Sequence, residues 1–357
     1  MLNKVVQWPV KIKDRVVGLW QGSGDEAVES KSWIKLGVAA LASLLVIALI
    51  TGIFWSTEPA PFSVHDNALE SVAGDETKLV TGVATTATLI RISDTLLSKR
   101  GGYLSNDAIP PGVWLDNIPS WEFGVLVQVR DMNKAMREAF SRSQSQSTED
   151  KDLALAESRF NFDNRSWLLP PTEGQYKEGI EYLQAYLDRL VDEDQQNAQF
   201  YARADNLRYW LSTVESRLGS LSQRLSASVG QKRLNTDLAG DSEATQATSA
   251  PSEMVVKTPW NRIDNEFYEA RGSAWALIHM LKAIEVDFAD VLEKKNARVS
   301  IQQIIRELEA TQQTVYSPMI LNGSGFGVLT NHSLVMASYI SRANAAIIDL
   351  RELLSQG

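Results

Sequence analysis

The sequence has no cysteine and only three histidines among its 357 residues. The missing cysteines exclude a disulfide scaffold, a cysteine-ligated zinc site and a thiol nucleophile. Three histidines leave little for a metal site built from several imidazoles. The formal net charge of −9 argues against a dedicated nucleic-acid-binding protein, because such a protein presents a basic patch. We therefore assign no catalytic, cofactor-binding or metal-ligating residue and expect neither a cofactor nor a nucleic-acid partner.

A run of 22 uncharged, mostly apolar residues covers positions 36–57. A bilayer core of about 30 Å needs about 20 such residues in a helix, and Trp33 and Trp55 flank the run, as indoles do at membrane interfaces. The run is longer than the core of a cleaved signal peptide and lacks a following A-x-A-like site. A buried core helix would seldom be apolar on every face. We predict a transmembrane helix over residues 34–57, and hence the lipid bilayer as a partner.

The basic residues predict the orientation of this helix. Six Lys and Arg residues lie in positions 1–35, whereas the first basic residue after the run is Lys78. Positive charge stays in the cytoplasm, so we expect a cytoplasmic N-terminus and a periplasmic C-terminal part in a single-pass bacterial inner-membrane protein. Within the tail, residues 1–33, apolar residues at helical spacing indicate a basic amphipathic helix at the cytoplasmic interface: Val5, Trp8, Ile12, Val16 and Leu19.

The rest of the chain indicates an all-α fold, with helical periodicity and no convincing paired strands. Residues 58–76, which begin Glu-Pro-Ala-Pro, are predicted to be a linker. Residues 77–357 are predicted to form a periplasmic helical domain. Residues 230–257 are rich in small and polar residues, so we predict a flexible insertion there. Helices are predicted over residues 77–99, 122–142, 176–191, 200–225, 260–295, 297–316 and 331–356.

Two of these helices have a regular apolar seam of the kind found in coiled coils. In residues 200–225, apolar residues alternate steps of four and three for more than three heptads, and a second seam covers residues 336–354. A seam of this kind must be covered. The cover is either the C-terminal seam of the same chain or the same helix of a second copy, and we favour the internal partner. The oligomeric state stays open.

Asp-Asn dipeptides occur five times, well above the chance expectation for this composition. Two of them belong to a longer shared pattern, aromatic-x-Arg-x-Asp-Asn-x-x-Tyr, at residues 201–209 and 260–268. The pattern is consistent either with caps and polar junctions or with a polar cleft that binds a ligand. In a simple hairpin the two motifs would lie about 27 Å apart, which argues against one joint site. The candidate residues are Arg203, Asp205, Asn206, Tyr209, Arg262, Asp264, Asn265 and Tyr268.

Two other features resemble functional motifs but have simpler interpretations. The glycine-rich segment at residues 322–327 lacks the following lysine and the preceding strand of a phosphate-binding loop. We interpret it as a turn between helices, with Thr330 or Asn331 as the cap of the next helix. His279 lies in an apolar run, so we expect a hydrogen-bonded core histidine there and no metal ligand.

Three segments, residues 260–279, residues 100–106 and residues 322–327 with Asn331-His-Ser333, together resemble the proteobacterial domain-of-unknown-function 2333 family. The resemblance implies a bitopic protein of the bacterial envelope. The family has no known activity, so no catalytic residue is transferred to this sequence.

Three functions remain open at this point. We favour a scaffold or protein-interaction module of the cell envelope, with other envelope proteins as partners, over a helical domain that binds a lipid or other amphipathic ligand. A membrane-anchored hydrolase that uses carboxylates ranks third. A wide apolar cavity would favour lipid binding, a cleft between two carboxylates would favour hydrolysis, and a filled core with an exposed apolar patch would favour the interaction module.

Overall fold

The structure is a computed structural model of the chain, and it describes residues 27–143, 148–192, 197–234, 253–317, 319–324 and 327–356. For residues 27–34 and 233 only the backbone is described. Most of the predicted amphipathic tail, residues 1–26, lies outside the described residues. Two compact units are present, which divide between Phe54 and Trp55.

The first unit contains one long helix, α1 (Ala27–Trp55), which continues into Trp55 of the second unit. Its segment Lys35–Trp55 has a mean hydropathy of 2.5 and is almost entirely unburied. Twenty-one residues in a helix extend about 31 Å, close to the thickness of a bilayer core. This helix is therefore long and apolar enough to cross a membrane.

The second unit is mostly helical and also contains one pair of short strands. Its elements in chain order are α2 (Val64–Ser71), α3 (Val83–Ser98), α4 (Asn117–Ala135), α5 (Lys151–Phe160), α6 (Thr172–Leu190), α7 (Ala204–Ser226), β1 (Gln231–Leu234), β2 (Glu253–Val256), α8 (Ile263–Asp287), α9 (Ala289–Lys294), α10 (Arg298–Ala310) and α11 (His332–Ser355). A π-helical turn, Met136–Phe140, extends α4.

The centre of this unit is the parallel pair of α4 and α8. Gly124 of α4 lies against the backbone of Glu269 and Ser273 of α8, and the Ser273 hydroxyl donates to the Gly124 carbonyl oxygen at 3.1 Å. Further along, the rings of Phe140 and Phe288 are 5.3 Å apart. Contacts therefore advance together along both helices, and α8 is buried on most of its faces. α8 lies within the helix predicted over residues 260–295, and the structure divides that range into α8 and α9.

The two seams predicted from the sequence pack against each other within the chain. Leu211, Leu218 and Leu225 of α7 are buried, as are Ile340 and Ile347 of α11. At one end of this pair the Ser222 hydroxyl of α7 lies 3.5 Å from the Ala337 carbonyl oxygen of α11. The internal partner favoured for residues 200–225 is therefore the one observed.

The segment predicted as a linker, residues 58–76, is built into the helical unit. It contains α2, whose first turn is capped by the Ser63 hydroxyl, which accepts the N–H of Asp66 at 3.2 Å. Val64 and Ala68 are buried against α3. The proline-rich composition indicated a linker. The segment also has partners far away in the sequence, Arg271 for Glu58 and His279 for Phe62, which local composition cannot show.

The predicted insertion at residues 230–257 begins and ends with paired strands, which the sequence analysis did not expect. β1 and β2 pair antiparallel, with Gln231 opposite Val256 and Leu234 opposite Glu253. Each strand has only four residues, which are too few for a clear strand alternation, so the pairing was missed. Residues 235–252 lie outside the described residues, and the predicted flexibility stays a prediction for them.

Candidate functional site

The first predicted motif lies at the start of α7, and most of its side chains contact residues within or next to the motif. The Asn206 side-chain amide donates to the Tyr201 carbonyl oxygen at 2.8 Å. The guanidinium of Arg203 lies 4.7 Å from the centre of the Tyr201 ring. Asp205 is exposed and pairs at 3.6 Å with Arg208, three residues further along the helix. These contacts fix the chain where it enters α7.

Tyr209, the last residue of this motif, contacts the π-helical turn that follows the C-terminal end of α4. Its hydroxyl donates to the carboxylate of Glu138 in the π-helical turn after α4. Partial burial and the hydrogen bond to Glu138 raise the pKa of Tyr209 to about 12. Tyr209 therefore keeps its proton at neutral pH and serves as a hydrogen-bond donor.

The second predicted motif lies at the start of α8. Arg262 is exposed, and the backbone N–H of Asn265 donates to the Asp264 carboxylate at 3.1 Å. Burial, and secondly the negative charge of Asp116, raise the pKa of Asp264. Burial likewise raises the pKa of Tyr268. Two Asp-Asn dipeptides thus meet here, one at the start of α4 and one at the start of α8.

The structure does not bring the two predicted motifs together. Tyr209 contacts Glu138 after the end of α4, whereas Asp264 lies near Asp116 at its beginning. Twenty-two residues of mostly helical chain correspond to about 33 Å. Residues 201–209 and 260–268 therefore belong to two separate junctions, and they do not form one polar cleft.

The segment at residues 100–106 surrounds a buried ion pair. Glu122 of α4 is fully buried, and its carboxylate pairs with the Lys99 ammonium at 2.5 Å. The same carboxylate accepts the backbone N–H groups of Leu104 and Ser105 at 2.9 and 2.8 Å. A buried carboxylate needs several donors of this kind, so the loop after α3 is fastened to α4 by this group.

The segment at residues 260–279 places Arg271 and His279 against the chain that follows α1. Arg271 is buried and binds the Glu58 carboxylate, with Nη2 2.5 Å from its Oε2, and it donates to the carbonyl oxygens of Thr311 and Gln313 at 2.9 Å. Each of its three side-chain nitrogens therefore donates to a protein group. Arg271 is a structural clamp between three segments.

His279 is a hydrogen-bonded core histidine, as expected. Its Nδ1 lies 2.7 Å from the Trp275 carbonyl oxygen, and its Nε2 lies 3.1 Å from the backbone nitrogen of Phe62. A carbonyl oxygen only accepts, so Nδ1 carries the hydrogen and Nε2 accepts the Phe62 N–H. Burial lowers the pKa of His279 to about 4, so the ring is neutral at pH 7.

The described part of the glycine-rich segment lies directly before α11, and Asn322 pairs with Asn331 in an isolated bridge. The Asn331 side chain caps α11 by accepting the Leu334 N–H at 2.9 Å. Its amide also donates to the Asn322 side chain at 2.8 Å and to the Gly323 carbonyl oxygen at 2.6 Å. Residues 325 and 326 of this segment lie outside the described residues.

One polar cleft of about 230 Å³ opens between α4, α7 and α8. Arg217 and Arg224 line it, but Arg217 binds Asp131 at 2.7 Å, and Arg224 binds Glu269 at 2.5 Å. Gln128 also lines it, and its buried side-chain amide has no hydrogen-bond partner among the described residues. Neither periodicity nor the Asp-Asn search pointed to Gln128, since a single glutamine gives no sequence signal.

A groove of about 330 Å³ lies between α8 and the start of α11, lined by Phe267, Met336 and Tyr339 among others. This volume is at the lower end for ligand pockets, which run from about 300 to 1,000 Å³. Large side chains occupy the core, and Trp121, Trp210 and Trp275 are almost completely buried. Within the described ranges, no group of three or more acidic or histidine side chains is placed to hold a metal ion.

Fold and side chains thus define a mostly helical protein with a buried apolar core, which follows a helix able to cross a membrane. A family model described as "Uncharacterized protein conserved in bacteria (DUF2333)" matches residues 27–357, and the chain belongs to this family. Comparisons with curated proteins and with solved structures give no match.

Proposed function

We propose that this chain is a single-pass protein of the bacterial inner membrane, with a cytoplasmic N-terminus and a periplasmic helical domain that acts as a scaffold or protein-interaction module of the cell envelope. The apolar segment Lys35–Trp55 and the six basic residues before it support the anchoring and the orientation. In this role the helical domain is held next to the membrane and presents its surface to other envelope proteins.

The observation that carries the interaction role is the internal use of the polar groups in, or bound to, the segments that resemble the family. Glu122, Arg271 and His279 are buried and bonded to other parts of the same chain. Arg224, which lines the polar cleft, is bound by both Glu266 and Glu269. A hydrolase needs carboxylates that are free to meet a substrate, so these commitments favour a non-catalytic role.

The junction after the apolar helix supports the same role. Trp55 packs on Gly101, Glu58 binds Arg271, and Phe62 stacks on His279 with ring centres 4.1 Å apart. The helical unit therefore begins directly at the end of α1. A helical unit that starts directly after the apolar segment stays close to the bilayer, which suits a module that presents its surface there and suits a lipid carrier less well.

Two measurements on the full chain test the proposal. A periplasm-active reporter fused after Gly357 is expected to be active, and activity of a cytoplasm-active reporter there would contradict the orientation. A photoreactive residue is then placed at single exposed positions of the helical domain in the native membrane. Adjacent positions are expected to capture the same envelope protein, and distant positions are not. A purified chain that cleaves peptidoglycan or retains a stoichiometric lipid would instead favour one of the alternatives.

A further inference from the structure

Two loops of the helical unit expose large apolar side chains to solvent. The loop between α3 and α4 exposes Ile109, Val113 and Trp114, and the loop between α5 and α6 exposes Trp167, Leu168 and Leu169. Ile109 is 73% exposed and Leu169 is 86% exposed. Single exposed apolar residues are ordinary, but six in two loops need a partner.

Hydrogen bonds hold the two loops side by side. The Tyr103 hydroxyl donates to the Asn164 carbonyl oxygen at 3.0 Å, and the Asn106 amide donates to the Ser166 carbonyl oxygen at 2.9 Å. The second loop is closed on itself, because the Thr172 N–H also donates to the Ser166 carbonyl oxygen at 2.9 Å. The two loops therefore lie side by side, and we call their six exposed apolar side chains the apolar end surface.

This surface lies at the end of the helical unit where the chain arrives from α1. The first loop follows Gly101, and Gly101 packs on Trp55, the last residue of α1. From Glu58 to Phe62 the chain then advances along α8 from Arg271 to His279. Trp55 thus lies on the side of the N-terminus of α8, and the start of α4 lies on the same side because the two helices are parallel.

We propose that the apolar end surface inserts into the interface of the membrane that α1 spans. This inference rests on the anchoring in the proposed function. Indole rings and branched aliphatic side chains are the groups that favour the bilayer interface. The covalent link through Trp55 keeps the surface at high effective concentration near the bilayer, so a small apolar area suffices.

The charges around the surface indicate which lipid chemistry matters. Asp107, Asp116 and Asp163 lie in or beside the two loops, with Arg100 and Arg165 as the neighbouring basic residues. This is no basic cluster of the type that binds anionic headgroups. Insertion therefore depends on apolar contact and is independent of the anionic lipid content.

The absence of cysteine makes a direct test possible, because a single introduced cysteine is the only labelling site. A spin label is attached to Leu169→Cys or Ile109→Cys in the full chain, reconstituted into phosphatidylcholine vesicles. The matched control is Val299→Cys, which is 75% exposed at the start of α10. This start lies at the other end of α8, since Arg298 pairs with Glu285 at 3.2 Å. Leu44→Cys reports on the span.

We expect labels at positions 169 and 109 to collide more with oxygen than with a water-soluble nickel chelate, and the label at 299 to do the opposite. Added anionic lipid is expected to change neither result. An aqueous signal at 169 and 109, with position 44 in the bilayer, overturns this inference alone. Shielding from both reagents indicates contact with a second copy and also overturns it. An aqueous signal at position 44 contradicts the anchoring itself.

Discussion

Gly272 of α8 lies so close to Trp121 of α4 that the two backbones are in contact. A Cβ atom added to Gly272 would lie 2.0 Å from the Trp121 carbonyl oxygen, and one added to Gly124 would lie 2.1 Å from the Glu269 carbonyl oxygen. No real Cβ makes contacts this short, so a side chain at either position would force the helices apart. The parallel pair at the centre of the molecule therefore depends on two glycines.

We predict that Gly272→Ala lowers the free energy of unfolding by at least about 1–3 kcal/mol, the usual cost of overpacking. The measurement is urea unfolding of the full chain in detergent, followed by helical circular dichroism. Gly219→Ala is the matched control, because its nearest neighbour would be the Asn344 amide at 3.6 Å. In a helix interior that control is expected to be neutral or stabilising by up to about 1 kcal/mol. Equal effects of the two substitutions would contradict the close approach.

The packing of α7 on α11 predicts a stability that does not depend on protein concentration. Leu218 is completely buried within one chain, so Leu218→Ala is expected to cost about 2–5 kcal/mol. Its melting temperature, like that of the unsubstituted chain, is expected to stay constant over a wide concentration range. Val299→Ala, at an exposed position, is the control and is expected to change little. A melting temperature that rises with concentration would indicate that the seam joins two copies.

The sequence predicted the parts of the fold that repeat over a long stretch. The seam from Leu207 to Leu225 has a period that only a buried helix face explains, and its partner at residues 336–354 has the same signature. The close approach of Gly272 to Trp121 was not predictable in this way. A single glycine in a helix looks like a weak point in the sequence, and only the neighbouring helix gives it a role.

The candidate site was predictable only in part, for the same reason. The Asp-Asn dipeptides drew attention to Asp264, but its neighbour Asp116 lies 148 residues earlier, outside the longer pattern that selected the candidates. Glu58 was assigned to a linker because prolines surround it. In the structure it pairs with Arg271, more than two hundred residues further along the chain. Ion pairs between distant segments leave no periodic signal in either segment.

From the ion pair of Glu58 and Arg271 we predict that replacing Glu58 with a neutral residue strongly lowers the free energy of unfolding. Glu58→Gln removes the charge that compensates a buried guanidinium, and breaking a buried pair typically costs about 3–5 kcal/mol. We therefore expect a lower unfolding midpoint and earlier proteolysis between Trp55 and α2. The control is Lys282→Gln, which breaks a more exposed pair with Glu309 and is expected to cost less than about 1 kcal/mol. A Glu58→Gln chain as stable and as protected as the control would show that the clamp is dispensable.

From the lowered pKa of His279 we predict that the free energy of unfolding falls as the pH is lowered below about 6.5. In the folded chain Nε2 accepts the Phe62 N–H, so a proton on Nε2 would break that bond inside the core. Burial holds the pKa of His279 at about 4, against 6.5 for an unperturbed imidazole. Between these values the unfolded chain binds more protons than the folded chain, and stability therefore rises with pH in this window and falls on acidification.

From pH 7 to pH 5 this linkage amounts to about 2 kcal/mol, and the measurement is the urea midpoint of the full chain at both values. His279→Gln cannot titrate in this range, so its midpoint is expected to lose that part of the pH dependence while its stability at pH 7 is also reduced. His65→Gln, at an exposed position of α2, is the control and is expected to keep the pH dependence. Carboxyl groups contribute equally to all three chains, so the difference between them isolates His279. If His279→Gln kept the full slope, the acid sensitivity would have to come from groups other than His279, and the neutral imidazole would not control stability.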